Sequence, residues 1–290
     1  MSIRKAVITA AGMGTRFLPA TKSQPKETLP IVDTPMIQYV VEEAVASGIQ
    51  QIIIVTSSAK KAIEDYFDRS LELERALEQK GDLALLQRMR SISDLADVCY
   101  VRQKEQRGLG DAVLTAKEVV GNEPFAVILP DDIIDASVPA LKQLVGIYDM
   151  YKCSVVAIER VPIEDVASYG VIEPKRVEDR VYEVKRMVEK PPADKAPSNM
   201  GVVGRYILMP QIFDALKRTK PGAGGEIQLT DALQILIHDQ KVYAYEFDGK
   251  RYDAGTPFGF LKASVEMALK RPDLGPPFRK YLQELKLNIS

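Results

Sequence analysis

The stretch from Ala10 to Pro30, AAGMGTRFLPATKSQPKETLP, restricts this chain more than any other. It follows the apolar run Lys5-Ala6-Val7-Ile8-Thr9, which reads as a buried first strand. Gly12 and Gly14 stand where a chain leaving a sheet must turn, and glycine lets backbone N–H groups come close to a ligand. Arg16, Lys22 and Lys26 follow, against a single acid, Glu27. Pro19, Pro25 and Pro30 argue against a continuous helix, so the segment is expected to be an extended loop. A strand, a glycine turn and a group of cations together make a cradle for an anion, and a polyphosphate suits it best.

Two familiar phosphate loops do not account for it. A Walker loop requires G-x-x-x-x-G-K-[ST], which the chain lacks. The dinucleotide fingerprint requires glycine or alanine where Phe17 stands. It also needs an acid after the second strand, where Ile52-Ile53-Ile54-Val55 runs into Thr56-Ser57-Ser58. Nicotinamide chemistry is therefore disfavoured.

The 290 residues are enough to bury a substantial core, as one large α/β domain or two small ones. Charged residues make up 27% and the net charge is −1, which argues against non-specific nucleic-acid binding while leaving room for a local basic pocket. The two cysteines, Cys99 and Cys153, lie in apolar runs and are expected to be buried free thiols. The absence of any C-x-x-C or Cys/His cluster speaks against zinc. No segment approaches the roughly 18 apolar residues of a membrane span. The run before Gly12 is too short for a signal peptide. A soluble, cytoplasmic protein is expected.

After the loop, residues 35–45 have helical periodicity, with Thr34 as N-cap, Pro35 at the first helical position and Gly48 closing the helix. Ile52 to Val55 is a second buried strand, giving a βαβ unit and a parallel sheet. Residues 58–91 are charged and helical, divided by Gly81 into an αα-hairpin with Ile63, Phe67 and Leu71 on one face. Val98 to Val101 is a third strand, followed by the glycine turn Arg107-Gly108-Leu109-Gly110. Phe125 to Leu129 is a fourth, stopping at Pro130-Asp131-Asp132. Ligands of open α/β sheets bind at carboxyl ends of strands, so three such ends converge on one site. From Cys153 onward, short β-rich runs predict an antiparallel or mixed extension of the sheet. A helix over Gln228 to Ile237 interrupts them, and Thr256 caps a helix that starts at Pro257. The resulting reading is a single main α/β domain, 1–256, with a helical insertion at 58–91. A C-terminal helical segment, 257–290, carries apolar positions (Phe258, Leu261, Val265, Leu282, Leu285) that need an oligomer partner.

Asp131 and Asp132 end a strand where carboxylates face a pocket, and Asp253 holds a similar position later. Two or so carboxylates opposite phosphates suit Mg²⁺, which keeps waters and takes its other ligands from substrate oxygens. The only histidine, His238, sits near a helix end, so no Ser-His-Asp or Cys-His arrangement can be assembled around it. A reaction needing neither a protein nucleophile nor a histidine base is attack by a phosphate monoester on a nucleotide α-phosphate.

The Ala10–Pro30 string resembles the signature of the nucleoside-triphosphate sugar-1-phosphate nucleotidylyltransferases. The likeness runs along essentially the whole chain, through Gln103 with GLGDAV, LPDD, YGVI at Tyr169, VEKP at Val188, PSNMGVVGRY, GGEIQLTDA and RYDAGTP. It is nearest to the bacterial branch that acts on UTP and glucose 1-phosphate. The resemblance implies a Rossmann-like mixed sheet flanked by helices. It implies that Ala10, Ala11, Gly12 and Gly14 contact the nucleotide and that Gln103 and Gly108 read the uracil edge. Arg16 and Lys26 would bind the triphosphate, with Lys26, Arg16 and Asp131 as the catalytic set, and Asp131 with Asp253 would hold Mg²⁺. Gly170, Glu189 and Asn199 would meet the glucose, Lys190 its phosphate, and Asp132 would lie beside the ligand. Asp111 departs from the histidine more usual at its place, on what is expected to be the rim of the loop. The implied partners are UTP, glucose 1-phosphate, UDP-glucose and pyrophosphate, in a homodimer or homotetramer with no nucleic acid or membrane. Alternatives are a thymidylyltransferase using dTTP and a non-catalytic nucleotide-sugar-binding regulatory subunit.

Overall fold

The computed structural model describes residues 2–285. Strand β1 (Lys5–Thr9) leads through the glycine-rich loop to a two-residue hairpin, β2 (Pro30–Ile31) and β3 (Thr34–Pro35). Then follow α1 (Met36–Ala46), β4 (Gln51–Thr56), the inserted helices α2 (Lys61–Phe67), α3 (Leu71–Lys80) and α4 (Leu83–Ser93), and β5 (Asp97–Arg102). Helices α5 (Leu109–Thr115) and α6 (Lys117–Val120) precede β6 (Phe125–Ile128), β7 (Asp132–Asp135), α7 (Ala140–Tyr151) and β8 (Ser154–Arg160). The second half contains β9 (Gly170–Glu178), β10 (Val181–Glu189), β11 (Met200–Leu208), α8 (Ile212–Arg218), α9 (Leu229–Asp239), β12 (Val242–Glu246) and β13 (Lys250–Asp253). Helices α10 (Pro257–Lys270) and α11 (Gly275–Glu284) close the described chain.

Nine strands form one sheet in the order β5-β4-β1-β6-β11-β8-β12-β10-β9. β1, β4, β5 and β6 run parallel, β11 runs against β6 and β8, and β9 and β10 form an antiparallel hairpin at the far edge. This is the mixed α/β sheet flanked by helices that the apolar runs predict. The central strands are apolar without alternation because both faces are covered. Ile8, Ile52, Ile54 and Ile128 pack against α1, α2 and α7, while Val7, Ile53, Val55 and Val127 pack against α5, α8 and α9. Burying each such side chain stabilises the fold by about 1.5–3 kcal/mol.

Several local expectations are corrected. Thr34 and Pro35 pair in the β2–β3 hairpin, so α1 starts at Met36 with Pro35 as its extended N-cap. The insertion has three helices, since α2 stops at Phe67 where Asp68 turns extended. Ile63 and Phe67 are buried, but Leu71 begins the next helix and is 55% exposed. The αα-hairpin is α3–α4, fastened by Arg69 and Arg90, which both bind Glu74. The C-terminal segment is two helices, with Pro276 and Pro277 in the first turn of α11. Cys99 and Cys153 are free but only half-buried. The capping Thr256 is as expected: its hydroxyl accepts the N–H of Gly259 at 3.1 Å. Phe258 and Leu261 on α10 are 67% and 58% exposed, and Leu285 is exposed too; residues 286–290 of the expected C-terminal segment lie outside the described ones. No described helix is long and apolar enough to cross a membrane.

Candidate active site

Because β1, β4, β5 and β6 are parallel, their following loops all leave at one end of the sheet. Those after β1, β5 and β6 wall a cavity of about 690 Å³ together with residues from β9, β10 and the loops before α9 and α10. The Gly12/Gly14, Gln103/Gly108 and Asp131/Asp132 segments all line it, so the three strand ends do converge. Ala11, Arg16, Lys26, Gly170, Glu189, Lys190 and Asp253 line it as well. Ala10 and Asn199 do not. Ala10 is fully buried, tied by its N–H to the carbonyl of Val55. Asn199 donates its side-chain amide to Val161 outside the cavity, at 3.3 Å.

On the glycine-loop side, Gly14 sits at φ 67°, where glycine is favoured, and its carbonyl accepts the Thr21 hydroxyl at 2.8 Å. The loop is pinned from outside by an edge-to-face contact of Phe17 with Phe260 on α10. Lys26 reaches back to form an ion pair with Asp131. Burial works to lower the Lys26 pKa, but Asp131 and Glu27 more than offset it and hold the ammonium above the ordinary lysine value. Burial likewise pushes Asp131 up, and Lys26 brings it back below the usual carboxylate range. Both groups are thus charged at neutral pH. Beneath them Glu27 accepts both its short contacts, 2.8 and 2.7 Å, from Lys60, in a pair almost wholly removed from water.

A long-range pairing that local sequence patterns do not reveal builds the acidic side. β7 runs antiparallel to β13, with Asp132 opposite Asp253 and Ile134 opposite Arg251. Asp132 is buried, and both its oxygens are engaged: Oδ2 accepts the Gly204 N–H at 2.7 Å and Oδ1 accepts Arg251 Nε at 2.7 Å. Its carboxylate is therefore committed to neighbouring groups of the protein. Arg251 also donates to the Tyr169 hydroxyl at 3.1 Å and lines the cavity; sequence reasoning passes over it within the RYDAGTP string. Asp253 and Asp131 face each other across Gly255, whose absent Cβ would lie 3.1 Å from Asp253 Oδ1 and 2.6 Å from Asp131 Oδ2. Burial, and next the Asp132 charge, push Asp253 above the ordinary aspartate pKa.

On the opposite side, Gln103 is anchored by its N–H to the Thr56 carbonyl, and its side-chain NH₂ donates to Asp111 Oδ2 at 2.8 Å. Asp111 is buried, not on the rim as expected, and its Oδ1 accepts Arg107 Nη2 at 2.9 Å. Gly108 and Gly110 are required by the loop opposite: a Cβ on either would lie 2.8 Å from the Ile227 carbonyl. Two backbone bonds, Gly110 N–H to Ile227 and Ile227 N–H to Arg107, clip these loops together. Gln106, which sequence reasoning missed, straps the cavity by donating to the Ala11 carbonyl at 2.8 Å.

At the far end, β9 and β10 bring Gly170 opposite Glu189. A Cβ at Gly170 would lie 2.6 Å from the Thr230 hydroxyl and 3.3 Å from Glu189 Oε2, so glycine opens this corner. Lys190 adopts φ 46°, a conformation uncommon outside glycine, and its N–H donates to the Tyr169 carbonyl. Such backbone is retained where surrounding structure fixes it and often marks a working site.

His238 is exposed in the last turn of α9, and neither cysteine nor histidine lines the cavity. Among the described residues no group of three or more His, Cys, Asp or Glu side chains gathers as a metal cluster. Two converging carboxylates, one of them raised in pKa by burial and neighbouring acids, nevertheless suit a hard cation that completes its shell with phosphate oxygens and water.

The nucleotidyl transferase family model matches residues 5–269. A UTP–glucose-1-phosphate uridylyltransferase of Staphylococcus epidermidis is 52% identical over 285 residues, 98% of this chain and 99% of that one. A UDP-glucose pyrophosphorylase solved in complex with UDP-glucose superposes with a TM-score of 0.86 at 49% identity, covering 93% of this chain and 100% of that one. A UTP-bound relative from Acinetobacter baumannii gives 0.91 at 44% identity, covering 98% and 100%. With a glycine-rich loop, cation cluster and paired acids in one cleft, and matches that span nearly its whole length, the chain belongs to the nucleotidyl transferase family.

Proposed function

We propose that this protein transfers UMP from UTP to α-D-glucose 1-phosphate, giving UDP-glucose and pyrophosphate by direct in-line attack without a covalent intermediate. The observation that carries the reading is the facing arrangement of Lys26 with Asp131 and Asp253, in a cavity lined by no cysteine or histidine. The sugar phosphate is itself an anionic nucleophile, so alignment and charge neutralisation suffice. The names of the relatives, and the UTP and UDP-glucose in two of the solved ones, support the choice of substrates.

In this reading the backbone of Ala11, Gly12 and Gly14 and the side chain of Arg16 hold the triphosphate. Lys26 turns from Asp131 toward the α-phosphate and neutralises charge that grows as the new bond forms. Gly170, Glu189 and Lys190 orient the sugar phosphate. Asp131 and Asp253 would hold Mg²⁺, which when bound supplies charge neutralisation of the phosphate oxygens and a template for them. The exposed apolar residues of α10, Phe258 and Leu261, fit a contact between copies in a homodimer or homotetramer.

The test is pyrophosphate release with glucose 1-phosphate and each of UTP, dTTP, ATP, CTP and GTP, with and without Mg²⁺. Fast, metal-dependent release with UTP is expected. Release with dTTP alone would overturn the substrate and keep the mechanism. Silence with all five, from folded protein that binds UDP-glucose, would make the chain a regulatory module.

A further inference from the structure

We propose that Asp111 is a positioning residue that locks the Gln103 side-chain amide with its oxygen toward the nucleotide base, so that the pair selects a base carrying an N–H at that edge. The proposal rests on the uridylyl-transfer reading and deepens it.

The Gln103 NH₂ group faces two acceptors, Asp111 Oδ2 at 2.8 Å and, more distantly, the Gly108 carbonyl at 3.4 Å. Reversing the amide would set its oxygen against a carboxylate and a carbonyl at once. Gln103 and Asp111 are 5% and 7% exposed, so water cannot relieve that opposition. A neutral partner would tolerate either orientation; the carboxylate, which only accepts, permits one. Arg107 holds the other carboxylate oxygen, and α5 is clipped through Gly110 to Ile227, which keeps Asp111 in place. The Gln103 oxygen accepts no hydrogen bond from the described residues, while Gln103 lines the cavity. An acceptor fixed in this way takes the N3–H of uracil. Cytosine offers a lone pair at N3 and would oppose it. Thymine carries the same N–H, so the pair is silent between UTP and dTTP.

The experiment compares wild type with Asp111→Asn, whose amide can accept or donate and so frees Gln103 to reverse. Initial rates with UTP and CTP, at saturating glucose 1-phosphate and Mg²⁺, give kcat and KM; calorimetric titration of each nucleotide gives affinity. The preference for UTP over CTP is expected to fall by about tenfold or more, chiefly through KM and affinity. An unchanged preference in the folded variant overturns the role of Asp111 while leaving the reaction intact. If the wild type makes no UDP-glucose, the reaction fails, and the calorimetric preference alone decides Asp111 by the same criterion. Should the variant not fold, wild type is assayed with 3-methyl-UTP, which lacks the N3 hydrogen. A KM raised about tenfold or more supports the locked acceptor, and an unchanged KM overturns it.

Discussion

Alanine at Gly255 is a substitution whose effect follows from geometry alone. Its Cβ would stand 2.6 Å from Asp131 Oδ2 and 3.1 Å from Asp253 Oδ1, whereas ordinary contact begins at 3.4 Å. Position 255 is outside the left-handed region, so alanine meets no backbone penalty, and the strain falls wholly on the two carboxylates. Asp131 must retreat by the better part of an ångström, and Lys26, its ion-pair partner, must follow or let go. A misplacement of that size at a reacting centre costs on the order of 100-fold in rate. Local overpacking costs about 1–3 kcal/mol of stability. The assay is UDP-glucose formation across a Mg²⁺ titration, with thermal unfolding measured in parallel. We expect kcat to fall about 100-fold and the Mg²⁺ requirement to rise, with melting lowered by only a few degrees. Gly146→Ala serves as the control, since a Cβ at that α7 position meets nothing within 4 Å. A Gly255→Ala enzyme with the wild-type rate and Mg²⁺ response would refute the idea that these carboxylates work as a pair.

Lys26→Ala should lower kcat by about 100- to 1,000-fold while glucose 1-phosphate affinity, measured calorimetrically, changes little; equal losses would remove Lys26 from the chemical step. Asp253 has a raised pKa, so the fold holds its proton more tightly than the unfolded chain does. Its contribution to stability therefore falls as pH rises through the ordinary aspartate range toward the raised value. Asp253→Asn should accordingly raise the melting temperature of the metal-free protein by roughly 2 °C at neutral pH while abolishing Mg²⁺-dependent turnover. A lower melting temperature would contradict this. Lys60→Met leaves Glu27 buried without its partner and should cost about 3–5 kcal/mol in chemical denaturation. The double variant with Glu27→Leu should recover most of that loss, and failure to do so would assign the cost to packing.

The parts of the site that local chemistry encodes were legible in the sequence. A glycine turn with cations after one strand and acids after another predict a shared cleft from neighbours in the chain alone, and both groups do line one cavity. What depended on distant pairing was not legible. Arg251 becomes a cavity residue only because β13 pairs with β7, placing Asp253 opposite Asp132, and no periodicity joins positions more than a hundred residues apart. Asp111 looked like a surface residue on a glycine turn, yet the Ile227 loop folds over that turn and buries it. Leu71 failed for the opposite reason: helical spacing continued past a break at Asp68 that carries no glycine or proline to signal it. Ala10 and Asn199 lie close in sequence to cavity residues yet stand outside the cavity lining, Ala10 because the buried β1 end holds it and Asn199 because its amide turns to Val161.

The measurement that tests direct transfer most sharply is exchange of labelled pyrophosphate into UTP, run with Mg²⁺ in the absence of glucose 1-phosphate and again with UDP-glucose present. A single in-line displacement predicts no label in UTP in the first mixture and rapid labelling in the second, where UDP-glucose and pyrophosphate re-form UTP. Label entering UTP without any sugar nucleotide would require a uridylyl-enzyme and would contradict direct displacement.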